Sequence, residues 1–166
     1  MEENTETDFR IRDATERDCG TIHTLIRELA AYERLAHQVV GTEDDVRRSL
    51  FGPEPRAAVL LAEAGHTTVG FALFFHNYST FLCRRGLYLE DLYVRPEYRG
   101  RGYGKRLLSR LAQVALEGDC GRIEWAVLGW NESAVRFYES IGAVEVEGWK
   151  LFRLTASGIN ELAAST

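Results

Sequence analysis

At 166 residues, with 45% hydrophobic and 27% charged side chains, the chain has one domain's length and enough apolar material for a substantial core, which excludes a disordered protein. Twenty Lys and Arg stand against 25 Asp and Glu, and the resulting net charge of −5 argues against general nucleic-acid binding. Residues 69–75, the longest apolar run near the middle, contain a glycine and are far too few to span a bilayer. The opening M-E-E-N-T-E-T-D lacks the basic start and apolar stretch of a signal peptide, so a cytoplasmic protein is expected, with residues 1–8 as a flexible tail. Cys19, Cys83 and Cys120 show no metal-ligand spacing and read as reduced thiols, and the four histidines are scattered, so no metal is expected.

Taken in order, residues 9–12 alternate apolar and polar, as in a short strand. Thr15 with Asp18 forms a capping-box pattern ahead of Ile22, Leu25, Ile26 and Leu29, whose spacing predicts a helix to about Ala36. Thr42 and the three acids after it cap a second helix, which F-G-P at 51–53 ends. Residues 57–64 and 68–78 read as a hairpin across A-G-H, and residues 86–94 as a third strand. Leu107, Leu108, Leu111 and Ala115 mark a helix ending near Gly118. Residues 123–128 are the next strand, residues 131–141 a helix stopped by Gly142, and residues 144–154 a last pair of strands. The fold class is α+β: a single domain over residues 9–166, with a central mixed, mostly antiparallel sheet flanked by helices.

The strand at 86–94 leads into Y-R-G-R-G-Y-G-K-R. A nucleotide-triphosphate loop fails here, because only three residues separate Gly100 from Gly104 and Lys105 precedes Arg106 rather than Ser or Thr. The dinucleotide pattern fails because position 105 is lysine. What remains is R-x-x-G-x-G, formed by Arg99, Gly102 and Gly104 at a helix start. Unpartnered N–H groups, the positive end of the helix dipole and glycines that admit close approach together suit a pyrophosphate. Arg99, Arg101 and Lys105 are placed to add charge-assisted contacts. A plain connecting loop with solvated arginines is the alternative.

The run L-Y-L-E-D-L-Y-V-R-P-E-Y-R-G-R-G-Y-G-K-R-L-L, followed by G-W-N-E-S-A-V-R-F-Y-E-S-I-G-A, resembles the GNAT family of acetyl-CoA-dependent N-acetyltransferases. The segments I-R-D-A-T-E-R-D-C-G, L-I-R-E-L-A-A-Y-E and E-G-W-K-L-F are similar to its diamine (spermidine/spermine) and thialysine branch, so the likeness covers residues 9–163. The resemblance implies a GNAT-type domain, acetyl-CoA as cosubstrate held by residues 99–105 (Gly100 and Tyr103 among them), and a homodimer. It further implies that the strand offers backbone groups at Leu92, Tyr93 and Val94 to the acetyl and pantetheine, with Asn131, Ser133 and Ala134 touching coenzyme A. As residue types, Leu92, Tyr93 and Val94 are equally core, and Asn131 is equally a helix N-cap.

Acetyl transfer needs a neutral amine, donors for the developing oxyanion and an acid for the thiolate. An alkylammonium of pKa about 10.4 leaves roughly one part in a thousand neutral near pH 7, so a base is required. By resemblance that base is Glu90, acting through water, and the acid is Tyr138, although a tyrosine on an amphipathic helix also suits packing. Alternation predicts that Glu90 and Asp91 point to opposite faces. The resembling amine-binding positions are Tyr32, Glu33, Glu90, Asp91, Glu124, Trp125, Ala126 and Glu147, with Glu33 and Glu147 equally readable as surface charges. Where the polyamine enzymes carry Asp-Pro-Trp, residues 78–81 read Y-S-T-F, which favours a thialysine-like amino acid or other small primary amine. The expected reaction is direct transfer in a ternary complex, with a small-molecule partner and neither nucleic acid nor membrane. A peptide amine acceptor and a non-catalytic acetyl-CoA sensor are the competing readings.

Overall fold

The computed structural model describes residues 8–165, so the expected tail lies outside the described residues except for Asp8. The chain divides into two compact units, Met1–Ala126 and Val127–Thr166. Among the described residues the first unit carries one open sheet of β1 (Phe9–Asp13), β2 (Ala58–Ala64), β3 (Thr67–Ser79), β4 (Arg84–Val94) and β5 (Ile123–Glu124), in that order. The pairings from β1 to β4 are antiparallel and β4–β5 is parallel, which gives the mixed, mostly antiparallel α+β sheet expected.

The alternation of apolar residues sends one set to each face of the sheet. On one face Val59, Leu61, Phe71 and Tyr93 join Ile22, Leu25 and Leu29 of α1 (Cys19–Tyr32) and Leu50 of α2 (Glu43–Phe51) in one buried cluster. The other strand positions, Leu60, Ala62, Ala72, Phe74, Leu87 and Leu89, are buried on the face that receives α3 (Tyr103–Glu117), with its buried Leu107, Leu108 and Leu111. Each such leucine contributes about 1.5–3 kcal/mol by leaving water.

Local chemistry fixes the element ends. Thr42, expected with the acids after it to cap α2, forms a capping box there with Asp45, and Thr15 and Asp18 form the one their spacing predicts on the short 3-10 turn (Glu16–Asp18) ahead of α1. The α1 helix stops at Tyr32, four residues short of the predicted end. Arg34 adopts a left-handed φ of 63°. The Leu35 N–H donates to the Ala30 carbonyl at 2.7 Å and the Arg34 N–H to Ala31 at 3.1 Å, a Schellman closure built without glycine.

In the second unit Asn131 caps α4 (Glu132–Ser140), and Gly142, at φ 89°, closes it. Two expectations are corrected. The strand expected over residues 123–128 is only Ile123–Glu124, because its ladder ends after two parallel pairs. No strand forms over residues 144–154 among the described residues: an alternating segment becomes a strand only with a ladder partner. An unanticipated helix, α5 (Ala156–Ala163), follows.

Candidate active site

The glycine run sits where β4 hands over to α3. Gly100 and Gly102 take φ values of 76° and 78°, which L side chains rarely adopt, and nothing lies within 4 Å of where a Cβ would stand on either. The first helical bond of α3 runs from the Arg106 N–H to the Gly102 carbonyl at 3.0 Å. The N–H groups of Tyr103, Gly104 and Lys105 therefore have no partner within the helix. The cradle fits a pyrophosphate, with exposed Arg101 and Lys105 beside it. Tyr103 contributes through its backbone, since its ring is buried and stacks 4.0 Å from Phe9.

Along β4 the pairing with β3 slips by one residue. Tyr88 faces Phe75 and Leu89 faces Phe74, but Leu73 faces Asp91, so Glu90 is the extra residue of a β-bulge. Phe75 and Leu73 share a face of β3, which puts Tyr88 and Asp91 on one face although they are three positions apart. The bulge removes the alternation that would have parted Glu90 from Asp91. Burial pushes the half-buried Asp91 carboxyl up to about 7, and the negative charges of Glu90 and Glu33 add to the rise. Burial also raises Glu33. Three carboxylates thus converge on one charge-rich spot that an ammonium group would neutralise.

The pairing of β4 with β5 ends at Tyr88 and Glu124. From Leu89 to Val94 the β4 backbone has β3 on one side and no ladder to β5 on the other. Glu124 is already engaged: Arg122 holds it at 2.9 Å and the Asn77 amide donates to it at 3.3 Å. Trp125 is half-buried and Ala126 exposed directly after the ladder ends.

Arg99 is exposed, and its side chain is committed within the unit. Its Nε donates to the Val94 carbonyl at 2.9 Å, and its guanidinium lies 4.4 Å from the ring centre of Tyr32 and 5.7 Å from that of Tyr93. Tyr32, Glu33, Glu90, Asp91, Tyr93 and Arg99 therefore form one neighbourhood of the first unit. The second unit carries the remaining positions. Asn131 Oδ1 accepts from the Ala134 N–H at 3.3 Å and from Ser133 Oγ at 3.2 Å, while half-buried Tyr138 has its ring 5.4 Å from Phe137. Glu147 is exposed.

The acetyltransferase (GNAT) family matches residues 17–143, which runs across both units. The chain belongs to the GNAT acetyltransferase family. This acetyltransferase is 43% identical to the thialysine N-epsilon-acetyltransferase of Bos taurus, over 92% of the chain and 96% of that protein. It is 33% identical to an L-ornithine N5-acetyltransferase of Arabidopsis thaliana, over 92% of the chain and 87% of the relative. An integron cassette protein from the mobile metagenome of V. cholerae superposes with a TM-score of 0.82 at 26% identity, covering 96% of this chain and 99% of that one. The acetyltransferase is an N-acyltransferase whose family uses acetyl-CoA as cosubstrate. Among the described residues no group of His, Cys, Asp and Glu is set to hold a metal, and no helix is long and apolar enough to cross a membrane.

Sequence reasoning missed two features of this site. Tyr88, a phenol raised first by burial and then by the charges of Glu90 and Glu124, shares the carboxylate face only because of the bulge, for which the sequence carries no glycine or other marker. The stacking of Arg99 on Tyr32 joins residues far apart in sequence, which no local pattern encodes.

Proposed function

We propose that this acetyltransferase moves the acetyl group of acetyl-CoA to a small primary amine of the thialysine type, by direct attack within a ternary complex. The observation that carries the reading is the carboxylate cluster of Glu33, Glu90 and Asp91, one strand-length from an anion-binding glycine loop. Supporting it are relatives whose names specify thialysine and L-ornithine, both small amino acids with a side-chain amine.

The backbone N–H groups of residues 103–105, with Arg101 and Lys105, hold the pyrophosphate of coenzyme A, and the β4 edge beyond the β5 ladder, at Leu92, Tyr93 and Val94, takes the pantetheine, with the Val94 carbonyl itself already accepting from Arg99. Acetyl-CoA, when bound, supplies an activated thioester carbonyl. Asp91 and Glu33 draw in the ammonium, with Tyr32 and Glu124–Ala126 lining the acceptor side. Glu90, solvent-exposed on its bulge, accepts the amine's proton through water. Backbone donors of β4 stabilise the oxyanion as the nitrogen attacks. Tyr138, through its phenol O–H, gives its proton to the departing thiolate. Asn131, Ser133 and Ala134 contact coenzyme A from the start of α4, and Glu147 supplies a further amine contact. The reading includes a cytoplasmic location and a homodimer, the latter supported by the exposed apolar side chains of Val144, Val146, Trp149, Leu151 and Phe152.

The test is coenzyme A release from acetyl-CoA with thialysine and spermidine side by side. Thialysine is expected to be preferred, with turnover reduced about 10²-fold or more in Tyr138→Phe and in Glu90→Gln. A preference for spermidine would overturn the substrate assignment. No release with either amine would redirect the search to peptide acceptors.

A further inference from the structure

The first arginine of a phosphate-binding loop is expected to face the phosphate, yet the Arg99 side chain points its contacts at the acceptor side. Its Nε donates to the last carbonyl of β4, at Val94, and its guanidinium covers the ring of Tyr32, the final residue of α1. Glu33, whose charge acts on Asp91, follows immediately. Beyond the Glu33 N–H bond to the Leu29 carbonyl, the end of α1 is closed by bonds from the Arg34 and Leu35 N–H groups, without a glycine to make the left-handed turn easy. One exposed side chain therefore spans the phosphate loop, the end of β4 and a helix end closed by a strained residue.

We propose that Arg99 is a positioning residue that couples the two substrates: filling the phosphate loop fixes Arg99 over Tyr32, orders the end of α1, and so tightens binding of the amine. The inference rests on the acceptor assignment proposed above. Anion contacts at residues 101–105 immobilise the loop from which Arg99 reaches. An α1 end already held in place loses less freedom when the amine arrives, which produces cooperativity without any rearrangement of the fold. Linkage makes the effect reciprocal, so the amine must tighten coenzyme A by the same factor.

The experiment is calorimetric binding of thialysine to the whole protein, with and without saturating coenzyme A as the unreactive occupant of the loop. In the wild type the amine is expected to bind about 5–20-fold tighter with coenzyme A present. In Arg99→Gln that ratio falls toward one, while coenzyme A affinity changes by less than about 3-fold. Arg99→Lys does not restore the ratio, because an ammonium cannot both stack flat on the ring and donate sideways to Val94. Tyr32→Phe keeps the ratio and Tyr32→Leu loses it, and the double variant Arg99→Gln/Tyr32→Leu is no worse than either single change. Arg101→Gln is the contrast, weakening coenzyme A but preserving the ratio.

Hydrogen exchange at the Arg34 and Leu35 amides supplies a readout that needs no acceptor: adding coenzyme A slows it in the wild type and leaves it unchanged in Arg99→Gln. If thialysine does not bind but this slowing occurs, the link stands and the acceptor assignment fails. An Arg99→Gln protein that loses coenzyme A affinity tenfold or more, yet keeps the amine ratio and the protected amides, would make Arg99 a phosphate ligand and end the proposal.

Discussion

Asp91 is the carboxyl near the glycine loop whose burial sets a pH dependence that can be tested. Its carboxyl lies near 7 rather than at the ordinary 3.8, because it is buried beside Glu90 and Glu33. Below that point it is neutral and binds an ammonium weakly, so the KM for the amine should fall as pH rises through 7. An entering cation lowers the carboxyl again, and calorimetry at pH 6.5–7 in buffers of different ionisation enthalpy should register net proton release that Asp91→Asn abolishes. Stability moves the other way. A folded state that holds the proton more tightly than the unfolded chain loses stability as pH climbs from about 4 to 7. Asp91→Asn should therefore be more stable than the wild type by about 1–3 kcal/mol at pH 8, by part of that at pH 5, and by almost nothing below about pH 3.5, in urea unfolding. The identity of this carboxylate was legible in the sequence. Its company was not, since alternation assigned Asp91 to the face opposite Glu90 and only the register of β3 against β4 shows otherwise.

At the scale of elements, helices and caps were the legible part: the Thr42–Asp45 box, the apolar face of α3 and the stop at Gly142 all follow from nearest-neighbour chemistry. The early end of α1 and the helix α5 went unmarked by any local pattern, and what failed in the sheet depended on partners distant in sequence. The ladder of β5 ends after two pairs, and the alternating residues 144–154 form no strand. Two glycines separate packing from function. A Cβ on Gly70 would stand 2.5 Å from the Tyr93 carbonyl oxygen, which backbone pairing fixes, so Gly70→Ala should cost about 1–3 kcal/mol in urea unfolding. A Cβ on Gly102 meets nothing, so Gly102→Ala carries only the left-handed strain of about 1–2 kcal/mol and should show itself chiefly as a raised KM for acetyl-CoA.

For the whole molecule, the two motif runs were enough to place the chain in its family, because the phosphate loop and the tyrosine helix are each defined by short, contiguous spacing. Assembly is a property of surfaces and is read from exposure. Trp149 and Phe152 are 78% and 88% exposed, with Val144, Val146 and Leu151 beside them in sequence. Sedimentation equilibrium at micromolar concentration should give twice the 18.8 kDa chain mass, and Trp149→Ser with Leu151→Ser should shift it toward one.

The bulge at Glu90 makes the reactive face depend on how many residues β4 contains as well as on which ones. A library of substitutions would leave that dependence invisible, because every variant keeps the same count. Deleting Glu90 would straighten the ladder with every other side chain intact. Moving the surplus residue by one position would leave composition untouched and still exchange the side chains presented on this face. Indels within this strand, seldom sampled and usually dismissed as damage, are therefore the changes by which such an enzyme would acquire a different acceptor.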